Sequence, residues 1–285
     1  MGKRMKIKIP NQHFLYITVL VALFVLVYHR TFLWMYGRFV STDSYYSHGF
    51  IIPFASAFLI WQKRGTLAKM EMGYSKYGLV LIIASLIIHL LSTIFYIFSS
   101  SGFSILLLIF GISLFLFGKE VTKAVFFPLL FLIFMFPLPE AFVSLLANPL
   151  KMNAARMATF FVDQAGISVY REGFYIKTIN GELLVGNPCS GLRSLISFLG
   201  IGAFFAYILD MSMVRRTILF LLSVPIALAS NVLRVIALVL VTHYYGYEKA
   251  SPDSFFHDFS GIMVFVIGFS ILFLAGRGLH GENKE

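Results

Sequence analysis

Long apolar runs separated by short polar joints dominate the chain, and their lengths predict its elements. The runs lie near residues 13–28, 47–62, 77–97, 101–118, 122–139, 189–209, 217–243 and 257–276. A helix needs about 20 apolar residues to cross the hydrocarbon of a bilayer. The pattern therefore predicts an all-α polytopic membrane protein with about eight transmembrane helices, forming a single integral membrane domain over 1–285. The short 47–62 run fits a re-entrant or tilted segment as well as a span. The basic start, MGKRMKIKIP, precedes an apolar run as in a secretory signal. YHRTFLWMYG offers no small-residue cleavage site, however, so a retained first span is expected. Residues 140–188 break the pattern and predict an extracytoplasmic segment. Its first part, 140–165, reads as a helix, but Lys151, Asn153, Arg156 and Asp163 suit it to the membrane interface rather than to a crossing. GISVYREGFYIKTINGELLVG then reads as strand pairs, with a small hairpin turning at Asn180-Gly181 between FYIKTI and ELLVG.

Composition agrees with the pattern. Charged residues make up 13% of the chain and hydrophobic ones 59%, with a mean hydropathy of +0.84. A soluble domain carries about 25% charged residues. The net charge of +10 is spread over short clusters between apolar runs, as topology signals are, and no nucleic acid partner is expected. With the N-terminus in the cytoplasm, 14 lysines and arginines fall on the cytoplasmic side and 7 on the other. That bias puts both termini inside. A single cysteine rules out an intramolecular disulfide and a cysteine-rich zinc site.

That cysteine lies in VGNPCSGLRSL. Asn187 suits a helix N-cap and Pro188 the first helical position, which places Cys189 in the first turn. Unpaired N–H groups and the helix dipole favour a thiolate there. Gly191 permits close approach, and Arg193 shares the helix face of Cys189. A reactive thiol and a small residue that merely packs are both open readings. Within ALASNVLRVIALVL, Asn231 and Arg234 share one face of an apolar run. An intramembrane arginine faces a cavity or braces a partner. Apart from Asp258 at the edge of the last run, no acidic residue lies within the runs to pair with it. His257, beside Asp258 in SPDSFFHDFSG, and His48, in YYSHGFIIP, fall at outer helix starts, where a wetted polar tip is the ordinary reading.

The lysine and arginine bias alone sets this topology. It nevertheless brings Cys189, His257 and His48 to one membrane face, with Arg234 below them. A thiol needs a base, a developing oxyanion needs a fixed positive donor, and the three residue types together suit acyl transfer at a peptide bond. A metal site from His48, His257 and Asp258 lacks tight ligand spacing, so no metal and no cofactor is expected. A transporter or lipid-binding protein would use Arg234 and Asn231 for an anionic group, but the matched half-repeats expected of a transporter are absent.

YSHGFIIP followed by Trp61, then CSGLRSL, NVLR and HDFSG, resembles the exosortase/archaeosortase family in order and spacing from about residue 43 to 270. The resemblance implies a membrane-embedded cysteine transpeptidase of the prokaryotic cytoplasmic membrane, with its site at the extracytoplasmic face. Its partners would be membrane-anchored exported proteins bearing a C-terminal sorting signal, made of a short motif, one hydrophobic span and a basic tail. The cut protein would pass to an acceptor glycan or lipid. The family's cysteine falls on Cys189, its arginine on Arg234 and its third residue on His257. His48 and Arg193 lie in family-like segments and, with Asn231 and Asp258, stand as supporting candidates. No soluble domain is expected after the last span.

Overall fold

The structure, a computed structural model, describes residues 11–41 and 44–281. The basic start with Lys3, Arg4, Lys6 and Lys8, and Lys284 at the other end, lie outside the described residues. Apolar runs in a bilayer satisfy their backbone groups internally by becoming helices, and this chain is mostly helix. α1 covers Asn11–Val40, α2 Ile52–Gln62, α3 Arg64–Leu67, α4 Lys76–Ile94, α5 Phe98–Ala124 and α6 Phe126–Phe131. α7 covers Glu140–Gln164, α8 Leu192–Ile208, α9 Met213–Tyr245, α10 Tyr247–Ala250 and α11 Phe255–Gly281. Short 3-10 turns occupy Ser47–Phe50, Leu132–Met135 and Asn187–Cys189.

Among the described residues, five helical stretches are long and apolar enough to cross a membrane: Thr18–Val40, Lys76–Ile94, Phe98–Ala124, Met213–Tyr245 and Phe255–His280. Phe126–Met135 with Glu140–Gln164 makes a sixth only if that pair, bent by 78°, is one span. The predicted count of eight is therefore not reached by length. Run 47–62 becomes a 3-10 turn and an 11-residue helix, and run 189–209 yields a 17-residue helix. Run 122–139 divides among the end of α5, α6 and a 3-10 turn. Backbone breakers hidden inside apolar runs explain the shortening. Gly118 and Gly191 both adopt φ +80°, a region that suits glycine. Phe136 and Pro139 are extended, with Pro137 between them, and α7 leaves at its steep angle.

α1 runs well past the predicted 13–28. Its later turns carry Arg38, whose guanidinium lies 5.6 Å from the centre of the Trp34 ring and pairs with Glu140 at the start of α7. The hairpin is one strand larger than expected. β1 (Tyr170–Glu172), β2 (Tyr175–Thr178) and β3 (Gly181–Leu184) form an antiparallel meander in that order. Thr178 pairs with Gly181, so the second turn is centred on Ile179-Asn180, one residue before the predicted Asn180-Gly181. Asn180 Nδ2 donates to the His243 carbonyl near the end of α9, which ties the turn to that helix.

α9 is the spine of the site-bearing half, with α7, α8, α10, α11 and the sheet all packed against it. Small residues set the approach of α8. A Cβ on Gly202 would lie 1.9 Å from Ser223 Oγ, so only glycine allows the two helices this close.

Candidate active site

Three chain segments converge along the half of α9 that carries the sheet and α10. The first is the turn that carries Cys189. The sequence predicts this thiol within the first helical turn, and the structure corrects that. Asn187–Cys189 is a separate 3-10 turn, Gly191 is left-handed, and α8 begins at Leu192. Asn187 does not cap the helix; its Oδ1 accepts instead from Lys151 Nζ of α7 at 2.6 Å.

Cys189 is 3% exposed. It belongs to an apolar cluster that includes Ala155 and Ala158 of α7, Ile176 and Leu183 of the sheet, and Val235 and Leu238 of α9. Burial pushes its thiol above the ordinary value, and Arg234 first, then Arg193, pulls it back. The helix-start argument predicted a lowered value. It fails because a covered thiol loses the water that stabilises its anion.

The second segment is the middle of α9. Asn231 Nδ2 donates to the Cys189 carbonyl at 2.9 Å, and Asn231 is itself buried. A Cβ on Gly191 would fall 2.9 Å from Asn231 Cγ, so the amide also fills the space a larger residue would need. Asn231 thereby ties the Cys189 loop to α9. One turn on, Arg234 Nη2 donates to the His257 carbonyl at a long 3.4 Å, and its guanidinium lies 3.2 Å from where a Cβ on Gly261 would stand.

The third segment is the start of α11. His257 is buried, with its Nδ1 3.4 Å from the Ala250 carbonyl on α10. A carbonyl only accepts, so this contact favours the tautomer with the proton on Nδ1 and the lone pair on Nε2. Ser254 Oγ accepts from the His257 N–H at 3.2 Å, and Ser260 Oγ donates to its carbonyl at 2.8 Å. Asp258 is exposed and makes no hydrogen bond to the His257 ring, because adjacent helical residues do not face each other. The orienting group is the Ala250 carbonyl, which sequence neighbours could not reveal. Ser254 and Ser260, by contrast, flank His257 at helical spacing and were legible.

The other two candidates are Arg193, in the first turn of α8, and His48, in the 3-10 turn Ser47–Phe50 beside that helix. Arg193 Nε donates to the Ser44 carbonyl. His48 Nδ1 lies 3.2 Å from Ser197 Oγ, beside a cavity of about 410 Å³ lined also by Ile201, Phe205, Phe265 and Phe269. Neither this cavity nor the larger one described below is lined by Asn231 or Arg234. Among the described residues, no three His, Cys, Asp or Glu side chains gather as a metal-binding group.

The fold and this arrangement define an integral membrane protein with a covered thiol, a buried histidine and an intramembrane arginine brought to one end of its central helix. A family model described as transmembrane exosortase matches residues 40–274, and the chain belongs to that family, whose members are membrane peptidases or transpeptidases. No curated protein and no solved structure matches it.

Proposed function

We propose that this exosortase cleaves the C-terminal sorting signal of exported, membrane-anchored proteins through a thioester on Cys189, and passes the cut protein to an acceptor glycan or lipid. His257 Nε2 takes the thiol proton, and the thiolate attacks the scissile carbonyl carbon. Arg234 stabilises the oxyanion that forms, since a guanidinium donates without losing its own proton. Collapse breaks the C–N bond, and His257 returns the proton to the leaving amine. The acceptor's amine or hydroxyl then attacks the thioester and gives its proton to His257. The C–S bond breaks, and that proton restores the thiol. The substrate's apolar anchor approaches from the bilayer, both termini of the enzyme lie in the cytoplasm, and the site faces outward.

The observation that carries this reading is the position of Arg234, which acts on Cys189 and contacts the backbone of His257. One side chain thus links a nucleophile and a base that lie 68 residues apart in sequence (257 − 189). The test is Cys189→Ala, which abolishes processing of an anchored substrate while expression and membrane insertion persist. A Cys189→Ala protein that still trims its substrate overturns the mechanism. Orientation is checked separately on intact cells with a membrane-impermeant maleimide, to which Cys189 is the only thiol that can respond. Labelling from the cytoplasmic side alone overturns the topology.

A further inference from the structure

The opposite end of α9 holds a second polar site, unconnected to the thiol. Arg216 lies 18 residues before Arg234 (234 − 216) on the same helix, about 27 Å along its axis at 1.5 Å per residue. It lines a cavity of about 500 Å³ between α6, α8 and α9, together with Phe127, Phe131, Phe134 and Phe220. That volume is within the range of ligand sites, about 300–1,000 Å³. The mouth carries Leu130, Ile133 and Met213, all exposed on the apolar flank of the bundle, so the cavity opens toward lipid rather than water.

Its polar corner carries hydroxyl and guanidinium donors and net positive charge. Arg216 Nε and the Tyr207 hydroxyl are both buried, and neither has a hydrogen-bond partner among the described residues. Tyr207 is held in place, stacked on Phe127 with ring centres 4.0 Å apart and with Lys63 Nζ 5.2 Å from its ring centre. Lys63 in turn donates to the Ala124 carbonyl at 2.7 Å, which fixes that second positive charge at the corner. No carboxylate lines the cavity. Leaving a buried polar group unpaired is costly, and more so for a charged one, so two such atoms on residues that line one apolar cavity mark a place for an external acceptor.

We infer that this cavity binds an anionic phospholipid, with an acyl chain among the phenylalanines and the phosphate accepting from Arg216 and Tyr207. The charge at the corner also decides against the substrate of the proposed reaction, because the basic tail of a sorting signal would meet Arg216 and Lys63 as like charges. Arg215, next in sequence, is directed elsewhere: its Nη1 donates to the Leu279 carbonyl at 3.2 Å. It therefore serves as a control for surface charge alone.

The test is native mass spectrometry of the full-length protein, extracted from nanodiscs of phosphatidylglycerol or of phosphatidylcholine with the same acyl chains. The wild type is expected to retain phosphatidylglycerol at least tenfold over phosphatidylcholine. Arg216→Gln abolishes that preference, Tyr207→Phe reduces it several-fold, and Arg215→Gln leaves it within twofold. Tyr207→Phe removes one oxygen only, so it reports even if the arginine variant fails to fold. A preference unchanged in both Arg216→Gln and Tyr207→Phe overturns the inference. So does an equal loss in Arg215→Gln, which would mean non-specific surface charge. Displacement of the lipid by inorganic phosphate at matched concentration would instead assign the corner to a free anion and overturn the lipid as its occupant.

Discussion

Two arginines on one helix show how differently the same side chain is used in a membrane. Arg234 sits among groups that belong to the protein, with the His257 carbonyl, Gly261 and the loop of Cys189 around it. Arg216 sits at the edge of an open apolar cavity, where its Nε and the nearby Tyr207 hydroxyl have no acceptor among the described residues. An intramembrane charge is kept at a cost of about 2.5–3.5 kcal/mol on insertion scales. That cost belongs to the helix interior, where Arg234 lies and where the proposed chemistry on a covered thiol would offset it, whereas Arg216, in the first turn of α9, would be paired by the inferred ligand from the bilayer.

The sharpest separation of the two is the rate of substrate processing in proteoliposomes. Arg234→Gln removes the proposed oxyanion donor, and the loss of one such donor lowers rates by about 100- to 1,000-fold. Arg216→Gln leaves the rate within about twofold when lipid composition is held constant, as expected for distant sites without shared partners. Equal losses from the two variants would erase the distinction and recast Arg216 as part of the catalytic machinery or of the fold.

A second measurement follows the alkylation rate of Cys189 against pH. Burial holds the thiol above its ordinary value and Arg234 opposes that rise. The thiolate is the reactive form, so labelling climbs with pH and its midpoint lies above the free value of about 8.5. Arg234→Gln removes a charge that favours the anion, so the midpoint moves further up and labelling at pH 8 slows. A midpoint that stays in place in Arg234→Gln would remove Arg234 from the neighbourhood of the sulfur. Burial favours the neutral thiol, so the proposed mechanism relies on His257 to take its proton.

The loop itself is tested by two small changes. Gly191→Ala forces an L residue to φ +80° and drives a Cβ to 2.9 Å from Asn231 Cγ, so a destabilisation of about 1–3 kcal/mol is expected. Asn231→Ala loses the bond to the Cys189 carbonyl but vacates the space. Combined, the two should destabilise less than the sum of the single changes, by about 0.5 kcal/mol or more, read from denaturation midpoints in detergent. Strict additivity would show that the amide and the glycine do not meet.

These features were not equally legible in the sequence. The apolar runs predicted helices because backbone in lipid has little alternative, and Arg234, His257 and Cys189 stood out as reactive types in an apolar chain. The lengths of the runs misled wherever a glycine or proline was embedded in them. Gly118, Pro137 and Gly191 look like part of a hydrophobic stretch, yet each stands where the chain leaves the helix or starts a new one. Asp258 was suggested by adjacency to His257, and helix geometry turned it to solvent. The Ala250 carbonyl facing His257, and the alanines of α7 facing Cys189, are tertiary contacts between segments far apart in sequence. No spacing rule within one segment announces them.

The cover over the thiol gives the smallest but most local test of the comparison. Ala154, Ala155 and Ala158 lie on α7 with exposures of 3%, 0% and 0%, in the same cluster as Cys189, Val235 and Val239. Small side chains allow α7 to sit close to α9, and α7 is held to the loop by Lys151 on Asn187. Ala158→Leu inserts three carbons where there is no room, an overpacking that costs about 1–3 kcal/mol. The cheapest relief is for α7 and the sheet to lift, since they form the outer side of the cluster while α9 is clamped between α8 and α11. Alkylation of Cys189 should then accelerate several-fold at a given pH, while phosphatidylglycerol retention at the far end of α9 stays unchanged. Unaltered labelling in a folded Ala158→Leu protein would mean that α7 is not what covers the sulfur. A simultaneous loss of lipid would mean that the two ends of α9 move together, so that the covered thiol and the open cavity are coupled rather than independent sites.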